Sequence, residues 1–430
     1  MKEKLTAVVI GAGNRGQIYS KIMKDMSDRF QVVAVAEPET SRREAIRDLF
    51  DLPEDRCFCH WESLLALGKI ADIAVICTMD RDHLGPAMAA ISAHYDILLE
   101  KPVAPSPEEC EAIARHAEKE GVRIIVCHVL RYTPFFTAIK RLIADGALGD
   151  IISINHEECV QYAHQSHSFV RGNWGNSQRS SCMLLQKSCH DLDILQWLID
   201  KPCKKIQSFG TLTHFTKENA PADAPERCID GCPHAPACPY DAVRLYLDSK
   251  KNTWFREACT GIITPDDAAV EQALRTTQYG KCVYKCDNDV VDHQTVNMLF
   301  ADDITVTFTM CAFNKGGRFI HIMGTRGELW GSLDNEEKPL RVFSFETRQT
   351  TEHPVTGKDG LVNGHGGGDR GIIEALHAYM NGTYEGFSVS DVRTSVNNHH
   401  LVFAAEMSRH SGTVVDIQDY ITSLDVAEAN

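Results

Sequence analysis

The sequence predicts an α/β protein in two parts. A doubly wound parallel sheet occupies about residues 1–130, and an α+β part with a large, open, mostly antiparallel sheet follows over 131–430. Three observations predict this. Short apolar runs alternate with helical patterns up to about residue 130, which is the signature of parallel strands joined by helices. The rhythm then changes, and from Asn288 to Leu333 the chain reads as β-ribbon. Finally, a chain of 430 residues has room for two or three domains of ordinary size.

The elements follow in order. Leu5–Ile10, Val32–Ala36, Ile73–Cys77, Ile97–Leu99 and Arg123–Cys127 are compact apolar strands, and Gln17–Met26, Ser41–Phe50, Pro86–Ala93 and Pro107–Glu120 are helical between them. The last helix has an N-cap serine, Ser106, then Pro107 and two acids in its first turn. Further on come a helix at Thr137–Asp145, a strand at Ile151–His156, a polar loop at His164–Ser181 and one long helix at Met183–Ile199. Ala301-Asp302-Asp303 separates Val296–Phe300 from Ile304–Phe308, a hairpin signal, and Phe319–Met323 and Glu328–Leu333 continue the ribbon. Such a sheet has one face free to pack on something. Helices return at Asp369–Met380 and Asp391–His410, and the Pro-, Asp- and Cys-rich stretch beginning at Thr216 reads as an inserted loop over about 216–260.

Composition excludes whole classes of function. Asp and Glu outnumber Lys and Arg by 59 to 44, a net charge of −15, which does not suit phosphate-directed nucleic-acid binding or an anionic membrane surface. No apolar stretch approaches the roughly 20 residues that span a bilayer. The N-terminus runs straight into a strand without a signal-peptide layout, so a cytoplasmic location is expected. The 16 cysteines are then expected to be mostly free and buried.

Gly11-Ala12-Gly13-Asn14-Arg15-Gly16 matches GxGxxG, follows a strand and opens a helix. In that context Gly11 permits the tight turn, Gly13 lets a pyrophosphate approach the backbone, and Gly16 lets the helix pack closely on the strand. The helix N–H groups, those of Asn14 and Arg15 included, then face the phosphates. Glu37 ends the second strand, 26 positions after Gly11, where an acid accepts the ribose hydroxyls of NAD and repels the 2′-phosphate of NADP. Arg42 and Arg43 nearby soften that preference. These features define a Rossmann-type NAD site.

Glu100-Lys101-Pro102 closes another strand at the carboxyl edge, where open α/β sheets place their ligands. A lysine there can polarise a substrate hydroxyl. With Gly11–Gly16, Glu37, Ile76-Cys77-Thr78, Asp82-His83 and Glu100-Lys101-Pro102 together, the chain resembles the Gfo/Idh/MocA oxidoreductase family over its whole length. The resemblance implies that Lys101 is catalytic, that Thr78, His83 and Glu100 lie near the cofactor, and that the open sheet backs the active site. It also implies homodimers or homotetramers that pair through that sheet.

Family members usually carry Asp-x-Gly-x-His-x-x-Asp on the helix entering the site. Here the stretch is Gln186 to Asp193: His190 and Asp193 match, Gln186 replaces the first Asp, and Ser188 replaces the Gly. On a helix His190 and Asp193 share a face, and a His beside a carboxylate suits a general base. Gln186 adds no charge, so Asp191, Asp193 or Lys187 is left to tune the base. Arg131, Arg171, Trp174, Lys187 and His293 are the substrate-facing candidates, with Gly364–Asp369 a further polar segment; each of these patterns also suits a turn or sheet edge. Cys228, Cys232 and Cys238, spaced C-x3-C-x5-C, are candidates for a structural Zn²⁺.

The expected function is hydride transfer from a secondary alcohol of a sugar, sugar derivative or cyclitol to NAD. One alternative is a redox-neutral glycoside hydrolase or lyase acting through a 3-keto sugar. A non-catalytic nucleotide sensor is another, and the presence of Lys101 and His190 argues against it.

Overall fold

The computed structural model describes residues 4–249, 252–333, 340–355 and 365–429. Six strands form the first sheet: β1 (Leu5–Ile10), β2 (Phe30–Ala36), β3 (Cys57–Phe58), β4 (Ile73–Ile76), β5 (Asp96–Leu99) and β6 (Ile124–Val126). All pairs are parallel, in the order β3-β2-β1-β4-β5-β6. The strands are near-continuous apolar runs because helices cover both faces. The helix predicted at Pro107–Glu120 has those bounds, and the Ser106 hydroxyl accepts from the Glu109 N–H as its cap.

The second sheet has nine strands: β7 (Ile151–Cys159), β8 (Cys203–Thr211), β9 (His293–Phe300), β10 (Thr305–Cys311), β11 (Gly317–Gly324), β12 (Gly327–Ser332), β13 (Leu340–Ser344), β14 (Gln349–His353) and β15 (Val415–Asp416). Their order is β14-β13-β12-β11-β7-β10-β9-β8-β15, antiparallel except for the β7/β10 pair. The predicted hairpin forms, with Val306 opposite Met298. Alternation along β9 to β12 sends Val296, Met298, Phe308, Ile320 and Leu329 into the core against the helices Cys189–Ile199 and Val392–Ser411. The opposite face carries the exposed rings of Phe209, Phe319 and Trp330.

Three expectations are corrected here. The helix predicted as one piece over Met183–Ile199 is two, Met183–Gln186 and Cys189–Ile199, because Ser188 leaves helical torsions at φ −100° and ψ 6°. The polar loop at His164–Ser181 begins as wide helical turns through Arg171 whose side chains are buried. The stretch predicted as an inserted loop over about 216–260 is irregular up to Ala242 apart from two short turns, but is helical at Val243–Asp248 and Thr253–Thr260, where Tyr246 and Phe255 pack with Val270 and Leu274 of the following helix. Aromatic residues spaced along it supplied a core that its Pro and Asp content hid. Gly364, at the start of the predicted polar segment, lies outside the described residues.

Candidate active site

The glycine turn after β1 is built as its sequence requires. Gly11 has φ +85°, and a Cβ there would lie 2.6 Å from the Cys77 carbonyl carbon. A Cβ on Gly16 would stand 2.2 Å from the Gly11 carbonyl oxygen. Gly13 differs: its Cβ would meet nothing within 4 Å. That open space lies at the start of the helix Asn14–Asp25, which no side chain caps. Free N–H groups and the helix dipole therefore face an unobstructed surface, which fits a pyrophosphate. Glu37, at the end of β2, accepts from the Ala12 N–H at 2.6 Å and the Glu39 N–H at 2.9 Å, which fixes its carboxylate beside the glycine turn. Arg43 is spent on the Glu37 and Pro38 carbonyls, so it is held away from the role of softening NAD preference.

Thr78 and His83 shape the next loop. The Thr78 hydroxyl donates to the Asp82 carbonyl, and the buried His83 ring bridges the carbonyls of Pro102 and Thr78. His83 thus ties the strand-β4 loop to Glu100-Lys101-Pro102. The Arg15 side chain makes ion pairs with Glu100 at 2.8 Å and Asp369 at 2.6 Å. Through Asp369 it ties the glycine-turn helix to the helix Gly368–Met380. Glu100 also accepts from the Tyr19 hydroxyl. Burial alone would raise the Glu100 carboxyl, but Arg15 and Lys101 outweigh it and hold it below its ordinary value.

Lys101 lies just past β5, at the carboxyl edge of the first sheet. Its Nζ donates to the Gln186 carbonyl at 2.9 Å, where the second-domain helix breaks. His190 lies four residues further on and is buried, with Nδ1 lacking a partner among the described residues. Burial, then Lys101, His365 and His128, push its imidazole well below the ordinary histidine value, so it stands neutral and able to accept a proton. The His365 ring centroid is 5.8 Å away.

Asp193 does not sit with His190. Its two oxygens take Arg131 Nε and Nη2, both at 2.7 Å, and Asn398 donates to it as well. Arg131 is therefore a buried partner of Asp193 rather than a surface for substrate. Lys187 pairs with Glu158 at 3.2 Å, and Arg318 joins Glu158 to Asp191, which in turn holds His156. Burial lowers the Lys187 ammonium, and Glu158 pulls it partly back.

Other candidates fall elsewhere. Arg171 is fully buried and donates to the carbonyls of Lys281 and Tyr240 and to the Cys228 sulfur, so it anchors the inserted layer and not a substrate. Trp174 donates to Asp80 at 3.1 Å, a contact between the two parts of the chain. His293 pairs with Asp292 and has the outward parity of β9, away from His190. Among the described residues no group of three His, Cys, Asp or Glu side chains is disposed to hold a metal ion. Zn²⁺ at Cys228, Cys232 and Cys238 is thus not supported: Cys228 faces Arg171 and the Lys281 carbonyl, and His234 pairs with Asp223. His128, Asn398 and His399, buried around Asp193 and His190, carry no motif that marks them in the sequence.

A profile described as an oxidoreductase family with an NAD-binding Rossmann fold matches residues 5–128, and that family's C-terminal alpha/beta domain matches 140–417. The chain belongs to the Gfo/Idh/MocA oxidoreductase family and is an NAD-binding enzyme of it. YteT of Bacillus subtilis (strain 168), named as an oxidoreductase, is 21% identical over 86% of this chain and 88% of its own. A 2,7-anhydro-N-acetylneuraminate hydratase of Escherichia coli (strain K12) is 25% identical over 47% of this chain and 51% of its own, so the chain spans only about half of that relative. The fold matches scyllo-inositol dehydrogenase from Lactobacillus casei, solved with NAD(H) and scyllo-inositol, at a TM-score of 0.66 and 14% identity over 96% of this chain and 99% of that one. Among the described residues no helix is long and apolar enough to cross a membrane.

Proposed function

We propose that the protein oxidises a secondary alcohol of a sugar, sugar derivative or cyclitol with NAD. The observation that carries this reading is Lys101 held at 2.9 Å to Gln186, four residues before a neutral, buried His190. Gly11, Gly13, Gly16 and Glu37 hold the dinucleotide, with Thr78, His83 and Glu100 shaping the nicotinamide end. When bound, the nicotinamide supplies the hydride acceptor. Lys101 donates to the substrate oxygen, and His190 takes the hydroxyl proton. Glu37 favours NAD over NADP by repelling a 2′-phosphate.

The domain boundary falls near residue 130, and the exposed rings of Phe209, Phe319 and Trp330 on the open sheet suit pairing with a second copy. The similarity to a hydratase favours one further reading, in which oxidation acidifies a neighbouring C–H, a group is eliminated, and the hydride returns.

The test uses the protein with NAD⁺ and a panel of inositols, free sugars and nitrophenyl glycosides. NADH rising with one polyol supports the dehydrogenase. Nitrophenolate released on NAD⁺ addition, without matching NADH, supports the redox-neutral reading. Neither signal overturns both.

A further inference from the structure

His128 is the buried group that the reaction as described leaves unused. It follows β6 and is fully buried, and neither ring nitrogen has a partner among the described residues. A polar ring kept dry with two unmet nitrogens is costly and calls for an explanation. Its surroundings are specific. The His190 ring lies edge-on to it at 5.9 Å between centroids, and the His399 ring does so at 5.7 Å on another side. Asp193 Oδ2 stands 3.8 Å from its Nδ1. His399 is already committed, bonding the Ser395 carbonyl through Nδ1 and the Val103 N–H through Nε2.

Position 186 explains why such a group is needed. The family pattern places a carboxylate there, four residues before the base. Here Gln186 turns its amide nitrogen to the hydroxyls of Ser180 and Ser181. His190 Nδ1 is left without its usual orienting partner. The carboxylate that remains, Asp193, is three residues beyond His190 and engaged by Arg131, with His128 between the two.

We propose that His128 is the positioning residue for His190, linking it to Asp193 in place of the carboxylate absent at 186. This rests on His190 being the base in the reading above. When His190 takes the substrate proton, its Nδ1–H gains an acceptor in the neutral ring of His128, whose other nitrogen donates toward Asp193. Closure of a 3.8 Å approach to hydrogen-bond length on substrate binding is ordinary for such contacts. His128 is suited to this because it stays neutral down to about pH 4: burial lowers it first, and Arg131 and Lys101 add to that against the pull of Asp193 and Glu100.

The experiment compares His128→Phe, which keeps ring packing, and His128→Gln, which keeps a donor and acceptor, with the wild type. NAD⁺ affinity is expected to be unchanged in both, which establishes that they fold. In H128F, kcat is expected to fall about 10²-fold, the scale of general-base assistance, with KM within threefold, and the acid limb of the pH–kcat profile is expected to move. H128Q is expected to recover part of that loss. Nitrogen-15 histidine spectra of His190 give a readout that needs no substrate: one tautomer in the wild type, and a mixture with a displaced titration in H128F. An H128F enzyme with kcat within threefold and an unchanged pH profile overturns the proposal, as do unchanged His190 spectra. A wild type that oxidises nothing overturns the dehydrogenase reading instead, and the spectra still decide the His128–His190 link.

Discussion

The Lys101 ammonium and the Gln186 carbonyl meet at 2.9 Å, and this contact joins the edge of the first sheet to the break in the second part's helix. The break frees a carbonyl that a continuous helix would use internally. Lys101 is thereby aimed into the cleft that His190 shares, and its charge is the strongest that acts on that imidazole.

Removing the Lys101 ammonium should separate chemistry from binding. Lys101→Met keeps most of the stem and loses the donor. Turnover should fall at least about 10²-fold, while NAD⁺ affinity, read by quenching of tryptophan fluorescence, should change little. Turnover within a few-fold of the wild type would sink the role assigned to Lys101.

The glycine turn offers a contrast between two similar substitutions. Gly13→Ala places its methyl in open space, so the melting temperature should hold while NAD⁺ affinity falls about tenfold or more. Gly16→Ala drives its methyl against the Gly11 carbonyl and should cost about 1–3 kcal/mol of stability whether or not cofactor is present. Calorimetry with and without NAD⁺ distinguishes the two. Equal behaviour of both variants would contradict the separate roles given to these glycines.

Arg131 and Asp193 form a buried bidentate pair, each side chain almost wholly inaccessible. Asp193→Ala leaves a guanidinium without its counter-charge and should cost about 3–5 kcal/mol in urea unfolding. Replacing both residues, as Arg131→Met with Asp193→Leu, should recover much of that loss. Additive losses in the double variant would show that the pair is not the unit proposed here.

Local chemistry made much of this legible in the sequence. The helix Pro107–Glu120 is readable to the residue because its cap serine, its first-turn proline and the two acids that follow are all local signals. The glycine turn and Glu37 were readable because backbone geometry dictates them. Arg131 and Arg171 turn away from substrate because a long cation on an otherwise suitable segment can turn inward, and their partners (Asp193 and the Tyr240 carbonyl) are distant in the chain. His128 and Asn398 carry no pattern at all, since only the tertiary fold brings them to Asp193. The break at Lys187–Ser188 was hidden by continuous helical apolar spacing on both sides, and it is the tertiary contact with Lys101 that makes use of it.

Acid should destabilise this protein in two stages. His128 is held down to about 4, and His167 and His399 to about 3, each chiefly by burial. An unfolded histidine titrates near 6.5, so below that pH the unfolded chain binds protons that these three rings refuse. Stability is therefore unaffected by them above about pH 6.5 and falls as pH drops from there toward 4, by about 1.4 kcal/mol per unit for each ring. Against the cost of burial, Glu100 is held below its ordinary value by Arg15, Asp193 by Arg131, and Asp369 by His365 and then Arg15, so their contribution is present above about pH 4 and is lost below it. Both effects carry the same sign. Urea midpoints at pH 7.5, 6 and 5 should fall steeply between the last two, and His128→Phe should flatten that fall by about one ring's share. A midpoint independent of pH between 6.5 and 5 would mean that these histidines are not neutral in the folded protein.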